Sequence, residues 1–411
     1  MKVVADFHLH SRYSRATSSR LDLDLLAQWA RWKGIHLLGT GDCTHPLWMQ
    51  ELKQKLRPSE GGLYEYRGVK FLLTAEVNNL FAVGGRSHRI HNLVFLPTIE
   101  AAEGLNKRLG RHGDLSSDGR PMLRLSARDL VRMALDVSPE AFVVPAHAWT
   151  PHFSVFGANS GFDTVEECFQ DQAKEIFALE TGLSSDPAMN WRLSRLDRYT
   201  LISNSDSHSA NRIGREANVF DCEPSYGEIK RILKTKDTKR FLYTIEFFPE
   251  EGKYHLDGHR LCKARLTPEE TRQSQNRCPA CGRKVTIGVM HRVGDLADRA
   301  PGYRPADGIP FKNLVPLDQI IADNRGVGVA TKQVEQEYLD LVQRVGTELE
   351  ILTEFPEEVL RKSLSPRLAE GILRVRAAQV KILPGYDGEY GEVKIYEESN
   401  DLAAEKQLTL F

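Results

Sequence analysis

The chain of 411 residues has almost no net charge, because 55 Lys and Arg residues balance 56 Asp and Glu residues and leave −1 at neutral pH. The molecule as a whole therefore does not attract nucleic acid or an anionic membrane, and any site for a polyanion must be local. No apolar run approaches the roughly 18 residues of a membrane span, and Asp6 interrupts the N-terminus before a signal-peptide core. We expect a soluble, cytoplasmic, monomeric protein.

Cysteine is also scarce, with six residues in the whole chain. Three of them stand alone, and three lie close together, at Cys262, Cys278 and Cys281. A disulfide scaffold is excluded in so long a chain, and the close group predicts a metal site. With 41% apolar and 27% charged residues, the composition is that of an ordinary globular protein.

The pattern of apolar residues divides the chain into four parts. Residues 1–245 alternate short apolar runs with amphipathic ones, which predicts an α/β barrel or a doubly wound sheet. A polar segment at 114–121 is expected to be a loop. Residues 246–300 are turn-rich and carry Cys and His, residues 301–396 have helical patterning, and residues 397–411 form a polar tail.

Potential metal ligands follow the strand-like runs of the first part. The carboxyl ends of parallel strands share one face, so we expect these side chains to converge. In His8-Leu-His10 both imidazoles point to the same side, because side chains alternate with period two. Imidazole and carboxylate together suit Zn, Mn or Fe. The candidates are His8, His10, Asp42, His45, Glu76, His147, Asp206 and His208.

Six short motifs in this part resemble those of the polymerase-and-histidinol-phosphatase (PHP) phosphoesterase family. They are Asp6-Phe-His8-Leu-His10, Thr40-Gly-Asp42, Thr74-Ala-Glu76, Ile90-His91-Asn-Leu, Pro145-Ala-His147 and Ser205-Asp206-Ser-His208. The resemblance implies a distorted seven-stranded (β/α) barrel. It also implies two or three divalent ions (Zn, Mn or Mg) at the strand ends.

The same resemblance assigns ligands to each ion. The first ion would take the group that we expect to be catalytic, namely His8, His10, Glu76 and Asp206. Glu76 would bridge to a second ion held by His91 and His147. A third ion would take Asp42 and His208, with His45 as a further candidate and Cys43 standing where many members carry His.

Clustered cations of this kind activate water at neutral pH and neutralise charge on a phosphorus centre. We therefore expect phosphoester hydrolysis. Asp6, two residues before His8, is expected to accept a hydrogen bond from an imidazole and so orient it.

The second part carries the spacing of a zinc ribbon, His259-Arg-Leu-Cys262 followed by Cys278-Pro-Ala-Cys281. We expect one structural zinc ion there. His259 is the fourth ligand by spacing, and His255 is the alternative. Basic residues surround this segment, and they are interpreted either as a solvated face or as contacts to nucleic-acid phosphates. The DNA-binding candidates are Arg260, Arg283 and Lys284.

Motifs in the later parts extend the resemblance to nearly the whole chain. They are Lys253-Tyr-His255-Leu-Asp-Gly-His259, Thr286-Ile-Gly-Val-Met-His291 and Pro384-Gly-Tyr-Asp-Gly-Glu-Tyr-Gly391. Together with the barrel motifs they are similar to the endonuclease Q family. The resemblance implies a DNA repair nuclease that nicks one strand on the 5′ side of uracil, hypoxanthine, xanthine or an abasic site.

An enzyme that inspects a stacked base must flip it into a pocket. The loop at 149–161 follows His147 directly and is rich in aromatic residues and glycine. We expect it to line that pocket, unless its rings are buried anchors. The candidate residues are Trp149, Phe153, Phe156 and Asn159.

Two other functions fit parts of this pattern. A small-molecule phosphatase would use the same barrel but not the basic ribbon, and a non-catalytic DNA-binding scaffold would not need the full ligand set. The tail ends in a pentapeptide that resembles the sliding-clamp-binding motif of bacterial replication and repair proteins. Its anchoring residues would be Gln407, Leu408, Leu410 and Phe411.

Overall fold

The computed structural model describes residues 1–396. The strands are, in chain order, β1 (Lys2–Asp6), β2 (Leu37–Gly39), β3 (Arg57–Ser59), β4 (Leu63–Tyr66), β5 (Val69–Val83), β6 (Arg86–Leu96), β7 (Met122–Leu123), β8 (Phe142–Pro145), β9 (Ala178–Glu180), β10 (Thr200–Ile202), β11 (Ala217–Asp221), β12 (Phe241–Glu246), β13 (Asp257–His259), β14 (Ala264–Leu266), β15 (Phe311–Asn313), β16 (Lys381–Leu383) and β17 (Glu392–Lys394). The helices are α1 (Leu23–Lys33), α2 (Pro46–Lys55), α3 (Ile99–Leu109), α4 (Ala127–Val137), α5 (Val165–Phe169), α6 (Pro187–Asn190), α7 (Tyr226–Thr235), α8 (Pro268–Gln273), α9 (Val289–Leu296), α10 (Leu317–Arg325), α11 (Lys332–Arg344), α12 (Glu348–Thr353), α13 (Glu357–Ser363) and α14 (Pro366–Arg376).

A mixed central sheet organises the first part of the chain. Its strands run in the order β15, β12, β11, β1, β2, β5, β4, β3, and β6 joins β5 to β8. The pairs β1–β2 and β2–β5 are parallel, whereas β11 is antiparallel to both of its neighbours. The expected α/β class is confirmed, with more antiparallel pairing than a regular β/α repeat would have.

Strands β9 and β10 form a separate parallel pair. Ala148 N, just after β8, donates to the carbonyl oxygen of Glu180 at the end of β9 (2.9 Å). Ser203 N, just after β10, donates to the side-chain oxygen of Asn218 in β11 (3.0 Å). Isolated hydrogen bonds therefore connect the strands at two places where the central sheet has no continuous ladder.

The strands β5 and β6 are longer than the apolar runs at 70–75 and 90–96 predict. They pair antiparallel from Leu73–Leu96 to Val83–Arg86. Gly84 and Gly85, with φ of 57° and 79°, form the two-residue turn between them, and that conformation favours glycine at both positions. The hairpin places Glu76 and His91 on adjacent strands, so that their side chains can contact each other.

Amphipathic helices pack on the outside of this sheet. In α1, the Asp22 carboxylate caps the first turn by accepting from Leu25 N (2.9 Å). Gly34 ends the helix in the left-handed conformation. The buried face of α1 consists of Leu23, Leu26, Ala27, Ala30 and Lys33.

The C-terminal helices α10 to α14 dock against α1 through a buried ion pair. Lys33 Nζ lies 2.6 Å from Glu348 Oε2, and the Tyr338 hydroxyl donates to the same oxygen (2.7 Å). The Trp29 ring stacks on Tyr338 at 5.4 Å between centroids. Because an unpaired buried charge is costly, this pair fixes the position of the C-terminal helices relative to the sheet.

Between these parts, β13 and β14 form a short hairpin followed by α8 and α9. The strands β16 and β17 form a second hairpin near the end of the described chain. Within residues 1–396, no helix is long and apolar enough to cross a membrane.

Candidate metal centre and catalytic cleft

The segments that follow β1 and β10 meet side by side. Leu9 forms a parallel bridge with Ser207, and His10 N donates to the Ser207 carbonyl (2.9 Å). This contact brings the His8-Leu-His10 segment next to Asp206, although about two hundred residues separate them in the sequence. The convergence expected at the strand ends is present here.

A first cluster consists of His8, His10, Glu76 and Asp206, whose ligand atoms all lie within 4.8 Å of one another. Glu76 Oε2 is 3.3 Å from His8 Nε2 and 3.2 Å from His10 Nε2. His10 Nε2 is 3.1 Å from Asp206 Oδ1. Two imidazoles and two carboxylates facing one point form a donor set for a borderline divalent cation.

A second cluster consists of Glu76, His91 and His147. His91 Nδ1 lies 2.6 Å, and His147 Nε2 3.1 Å, from Glu76 Oε1. One oxygen of Glu76 thus faces the first cluster and the other faces the second. This arrangement suits a carboxylate that bridges two ions.

The chemistry of the buried atoms fits a cation at the first cluster. Within the described chain, His8 Nε2 is buried without a hydrogen-bond partner although it points into this cluster. Burial opposes protonation of His8, but the carboxylates of Glu180, Glu76 and Asp206 raise its pKa well above the ordinary value. An excess of carboxylates around an unsatisfied imidazole nitrogen favours a bound metal ion.

The two imidazoles of the second cluster are shifted in opposite directions. Burial opposes protonation of His147, but the carboxylates of Glu76, Asp206 and Glu180 raise its pKa, whereas His91 favours the neutral form that binds metal. Burial lowers the pKa of His91 to about 4. Burial raises the pKa of Glu76, but the neighbouring imidazoles and Arg120 outweigh it and hold the pKa well below the usual range. Glu76 is therefore ionised and His91 neutral over the physiological range.

Two carboxylates outside the clusters orient the histidines. His8 Nδ1 lies 3.0 Å from both oxygens of Glu180, which also accepts from His147 N (2.9 Å). His10 Nδ1 lies 2.9 Å from Asp42 Oδ1. Each contact fixes which ring nitrogen faces the cluster.

Several of these residues have strained backbones. Asp42, His147 and Asp206 have φ of 45°, 30° and 44°. A left-handed conformation costs a non-glycine residue on the order of 1–3 kcal/mol, and it persists only where neighbouring contacts enforce it. Such strain is concentrated at functional sites.

The loop at 114–121 covers one side of the clusters and carries Arg120. Arg120 Nη1 lies 3.2 Å from Glu76 Oε2. Gly119 packs directly on the Asp42 carboxylate and the Ser14 hydroxyl, and a Cβ atom there would overlap both. This loop is therefore a fixed wall, and glycine is required for its close approach.

An open cleft of about 480 Å³ lies above the clusters. It is lined by cluster residues, by the wall loop and by the loop after His147, including His91, His147, Asp206, Arg120, Arg15 and Phe153. The Phe153 ring stacks on His91 at 4.9 Å between centroids. The cleft combines two arginine side chains, several potential metal ligands and the phenyl ring of Phe153.

A separate ribbon cluster consists of His259, Cys262, Cys278 and Cys281, whose ligand atoms also lie within 4.8 Å of one another. Burial disfavours the Cys278 thiolate, but the backbone N–H groups of Ala280 and Cys281 lower its pKa to about 7. Three thiols and one imidazole are the donor set of a structural zinc site.

Comparisons with known proteins cover almost the whole chain. The chain is 31% identical to the lesion-specific endonuclease PfuEndoQ from Pyrococcus furiosus, with a TM-score of 0.86 over 98% of this chain and 99% of that one. The structure of endonuclease Q in complex with a 27-mer duplex substrate, with an abasic lesion at the active site, is 32% identical, with a TM-score of 0.86 over 97% of both chains. The uncharacterized protein YqxK of Bacillus subtilis is 30% identical over 417 residues, which are 96% of this chain and 99% of the relative.

The chain belongs to the endonuclease Q family. The resemblance found in the motifs is thereby confirmed. In addition, residues 316–379 match the family model described as the MJ0043 C-terminal domain. This match covers helices α10 to α14.

In this member of the endonuclease Q family, the residues expected at a third ion have other partners. Among the described residues, Asp42, His45 and His208 do not form a ligand group. Asp42 is occupied by His10, Ser11 and Ser14, and His45 Nε2 lies 3.1 Å from the Ser116 carbonyl oxygen. The buried Cys43 is likewise in no such group.

Asp6 differs from its expected role. Its carboxylate accepts from the backbone N–H groups of His8, Ser205 and Gly214 rather than from an imidazole. Glu180 orients His8 instead. Glu180 ends the run at 176–179, so the rule that found the other strand-end ligands would also have found it. Arg120 lies in a polar loop, where no periodic signal marks it.

The aromatic residues expected to stack on a base separate into two kinds. Trp149 and Phe156 are fully buried and pack on each other, and Trp149 Nε1 donates to Asn190. They are anchors of the loop, because their rings do not reach the cleft. Phe153 does line the cleft, whereas Asn159 is exposed and contacts the His152 ring (3.1 Å).

The candidates in the ribbon also separate. His259 joins the three cysteines, whereas His255 is buried elsewhere with its Nδ1 unpartnered among the described residues. Arg260, Arg283 and Lys284 are exposed. The proposed clamp-binding residues Gln407, Leu408, Leu410 and Phe411 lie outside the described residues, and that interaction stays a prediction.

Proposed function

We propose that this protein is a metal-dependent DNA repair endonuclease that hydrolyses the phosphodiester 5′ to a deaminated base or an abasic site. The observation that carries the proposal is the carboxylate of Glu76, shared between two ligand clusters at the floor of an open cleft. Membership in a family with a lesion-specific endonuclease supports DNA as the substrate. A small-molecule phosphatase is not favoured, since the match to the lesion-specific endonuclease PfuEndoQ covers 98% of this chain.

The two clusters would hold two divalent ions, Zn, Mn or Mg. When bound, such ions activate water for attack on phosphorus and neutralise charge on the phosphate. His8, His10 and Asp206 would bind one ion, His91 and His147 the other, and Glu76 both. Asp42 and Glu180 would position imidazoles. The strand order, with its two interrupted places, supports a distorted barrel as the scaffold.

Arg120 would donate to the non-bridging oxygens of the scissile phosphate. Its guanidinium lies 3.2 Å from Glu76 and lines the cleft. With divalent ions bound, Glu76 would serve as their ligand, and the Arg120 guanidinium would be available to another anion. A planar guanidinium with several N–H donors suits phosphate oxygens.

Phe153 would support the lesion nucleotide after it leaves the helix. A flipped base needs a flat apolar surface, and base stacking on an aromatic ring does not depend on sequence. The Phe153 ring is held against His91 and lines the cleft beside the clusters.

The ribbon would hold a structural zinc ion and contact DNA phosphates. His259, Cys262, Cys278 and Cys281 supply the ligands. Arg260, Arg283 and Lys284 give this exposed segment positive charge in an otherwise neutral chain. Phosphate contacts of this kind give affinity that falls with salt.

A nicking assay tests the proposal. Duplexes with one uracil, hypoxanthine, xanthine or abasic site, labelled at the 5′ end of the damaged strand, are incubated with Zn²⁺, Mn²⁺ or Mg²⁺. The expected result is one product that ends on the 5′ side of the lesion, with no cut in the undamaged duplex. Release of phosphate from a phosphomonoester without any nick would favour the phosphatase instead.

A further inference from the structure

Two large apolar side chains stand out from the surface. Among the described residues, Leu261 and Tyr390 are the most exposed of this kind, at 76% and 72%. A single exposed apolar residue is ordinary. Whether such a residue marks a binding surface therefore depends on its neighbours, and those of Tyr390 indicate one.

The hairpin that carries Tyr390 is bound to the ribbon segment. The Asp387 carboxylate accepts from Arg260 N (2.7 Å) and from the Thr286 hydroxyl (2.5 Å). Gly388 N donates to the Lys253 carbonyl (2.9 Å). Hairpin and ribbon thus form one continuous surface.

This surface leads to the catalytic cleft. The ring of Tyr254 lies 6.2 Å from that of His152, edge to face, and His152 lines the cleft next to Phe153. A Cβ placed on Gly388 would be 3.8 Å from the Tyr254 hydroxyl oxygen, so Tyr254 lies beside the hairpin. We call His152, Tyr254, Lys253 and Tyr390 the aromatic ridge.

The charges around Tyr390 indicate what its ring contacts. Lys253 Nζ lies 4.5 Å from the ring centroid and holds one face by a cation–π interaction. Glu389 and Glu392 are exposed beside it and would repel phosphate groups. The free face of the ring therefore suits an uncharged aromatic partner, whereas Lys253 can contact a phosphate of the same strand.

From this arrangement we propose that Tyr390 stacks on an unpaired nucleobase of the bound duplex, next to the nucleotide held in the cleft. The inference rests on the proposed function and extends it to a second contact outside the cleft. When a nucleotide leaves a duplex, it leaves an unstacked base behind, and a protein ring that covers this base offsets part of the lost stacking. The aromatic ridge runs from the cleft, where the displaced nucleotide would lie, to Tyr390, where the base left behind would lie.

The test compares three variants under single-turnover conditions on a duplex with one abasic site and 2-aminopurine opposite it. Tyr390→Ala should raise the enzyme concentration for half-maximal nicking at least about fivefold, as expected for loss of one base–aromatic stack. The maximal nicking rate should change much less. The 2-aminopurine should fluoresce more strongly in the Tyr390→Ala complex than in the wild-type complex, because the base is no longer quenched by stacking.

Tyr390→Phe should behave as wild type, since the ring is retained. Tyr303→Ala is the matched control, because Tyr303 is also exposed and has Arg299 over its ring at 4.1 Å but is not part of the ridge. Equal behaviour of Tyr390→Ala and Tyr303→Ala in both readouts would overturn the inference, as would loss of affinity in Tyr390→Phe. If wild-type protein fails to nick the duplex, the proposed function fails instead.

Discussion

The two strand-end clusters and the ribbon cluster each bring potential ligands within 4.8 Å, but their surroundings differ. The first and second clusters are buried apart from the half-buried Asp206, combine imidazoles with carboxylates, and share Glu76 at the floor of a cleft. The ribbon cluster has three thiols, with Cys281 exposed, and none of its residues lines that cleft.

In the proposed function, the strand-end clusters would hold the ions for hydrolysis and the ribbon cluster would hold an ion that stabilises the fold. Carboxylates and imidazoles at the base of an open cleft would leave a cation accessible to substrate, whereas three thiolates and one imidazole complete a closed tetrahedral zinc site. Four carboxylates surround or orient the strand-end clusters, and Arg120 stands between them and the cleft. We therefore expect substitutions in the two regions to affect different steps.

The largest effect is expected at the shared carboxylate. Glu76→Gln keeps the size of the side chain but removes the charge that both clusters use, so nicking should fall by about a thousandfold or more. Single-turnover nicking measures the rate, and elemental analysis measures the metal content. Asp206→Ala should behave in the same way.

Glu51→Gln is the matched control for this prediction. Glu51 is also buried in the first part of the chain, but it pairs with Arg12 and Lys55 outside the clusters. A Glu76→Gln variant with full metal content and a rate near that of Glu51→Gln would contradict the assignment.

A smaller effect is expected at the wall of the cleft. Arg120→Ala removes a proposed phosphate donor but no ligand, so the maximal nicking rate should fall about 10- to 100-fold while metal content stays unchanged. Arg15→Ala is the control, because Arg15 lines the same cleft but is largely exposed and pairs with Asp118. Equal effects of the two substitutions would remove the special role of Arg120.

In the ribbon, the change is expected in affinity rather than in chemistry. Cys278→Ser should remove about one zinc ion and unfold the small hairpin locally, because zinc supplies much of the folding free energy of so small a unit. DNA binding should weaken about tenfold and depend less on salt, while the maximal nicking rate stays close to wild type. An unchanged affinity and salt slope would show that the ribbon does not contact DNA.

The smallest effect concerns stability at Glu246, which belongs to none of the ligand clusters. Burial raises the pKa of this carboxyl to about 8. Between about pH 4.5 and 8 this carboxyl is ionised in the unfolded chain but still neutral in the folded protein. The free energy of unfolding should therefore decline as the pH rises through this range. Denaturant titrations should show a shallower decline for Glu246→Gln than for the exposed-site control Glu223→Gln. Parallel curves would contradict the raised pKa.

Much of the site could be predicted from where strands end. Three residues of the first cluster could be predicted in this way: His8 and His10 from the His-x-His motif after β1, and Asp206 from the motif after β10. Parallel strands present their carboxyl ends at the same edge of a sheet, which brings these residues together. The family motifs added His91. The spacing of Cys278 and Cys281 predicted the ribbon cluster.

The rest depended on packing that residue type does not reveal. Trp149 and Phe156 lie in a loop whose composition is typical of a base-stacking loop, but the loop backbone directs both rings into the hydrophobic core. The strands β11 and β12 were not predicted, because their pairing with each other and with β1 and β15 follows from the assembled sheet and not from a local sequence pattern. Arg120 reaches the clusters only because Gly119 lets its loop pack against Asp42.

In the proposed function, Glu76 would join two ion sites into one catalytic centre. Anomalous X-ray diffraction from crystals grown with Mn²⁺ or Zn²⁺ tests it most directly. We expect one anomalous peak among His8, His10, Glu76 and Asp206, and a second among Glu76, His91 and His147, with Glu76 contacting both. Peaks confined to the ribbon cluster, or ions that leave Glu76 uncoordinated, would contradict it.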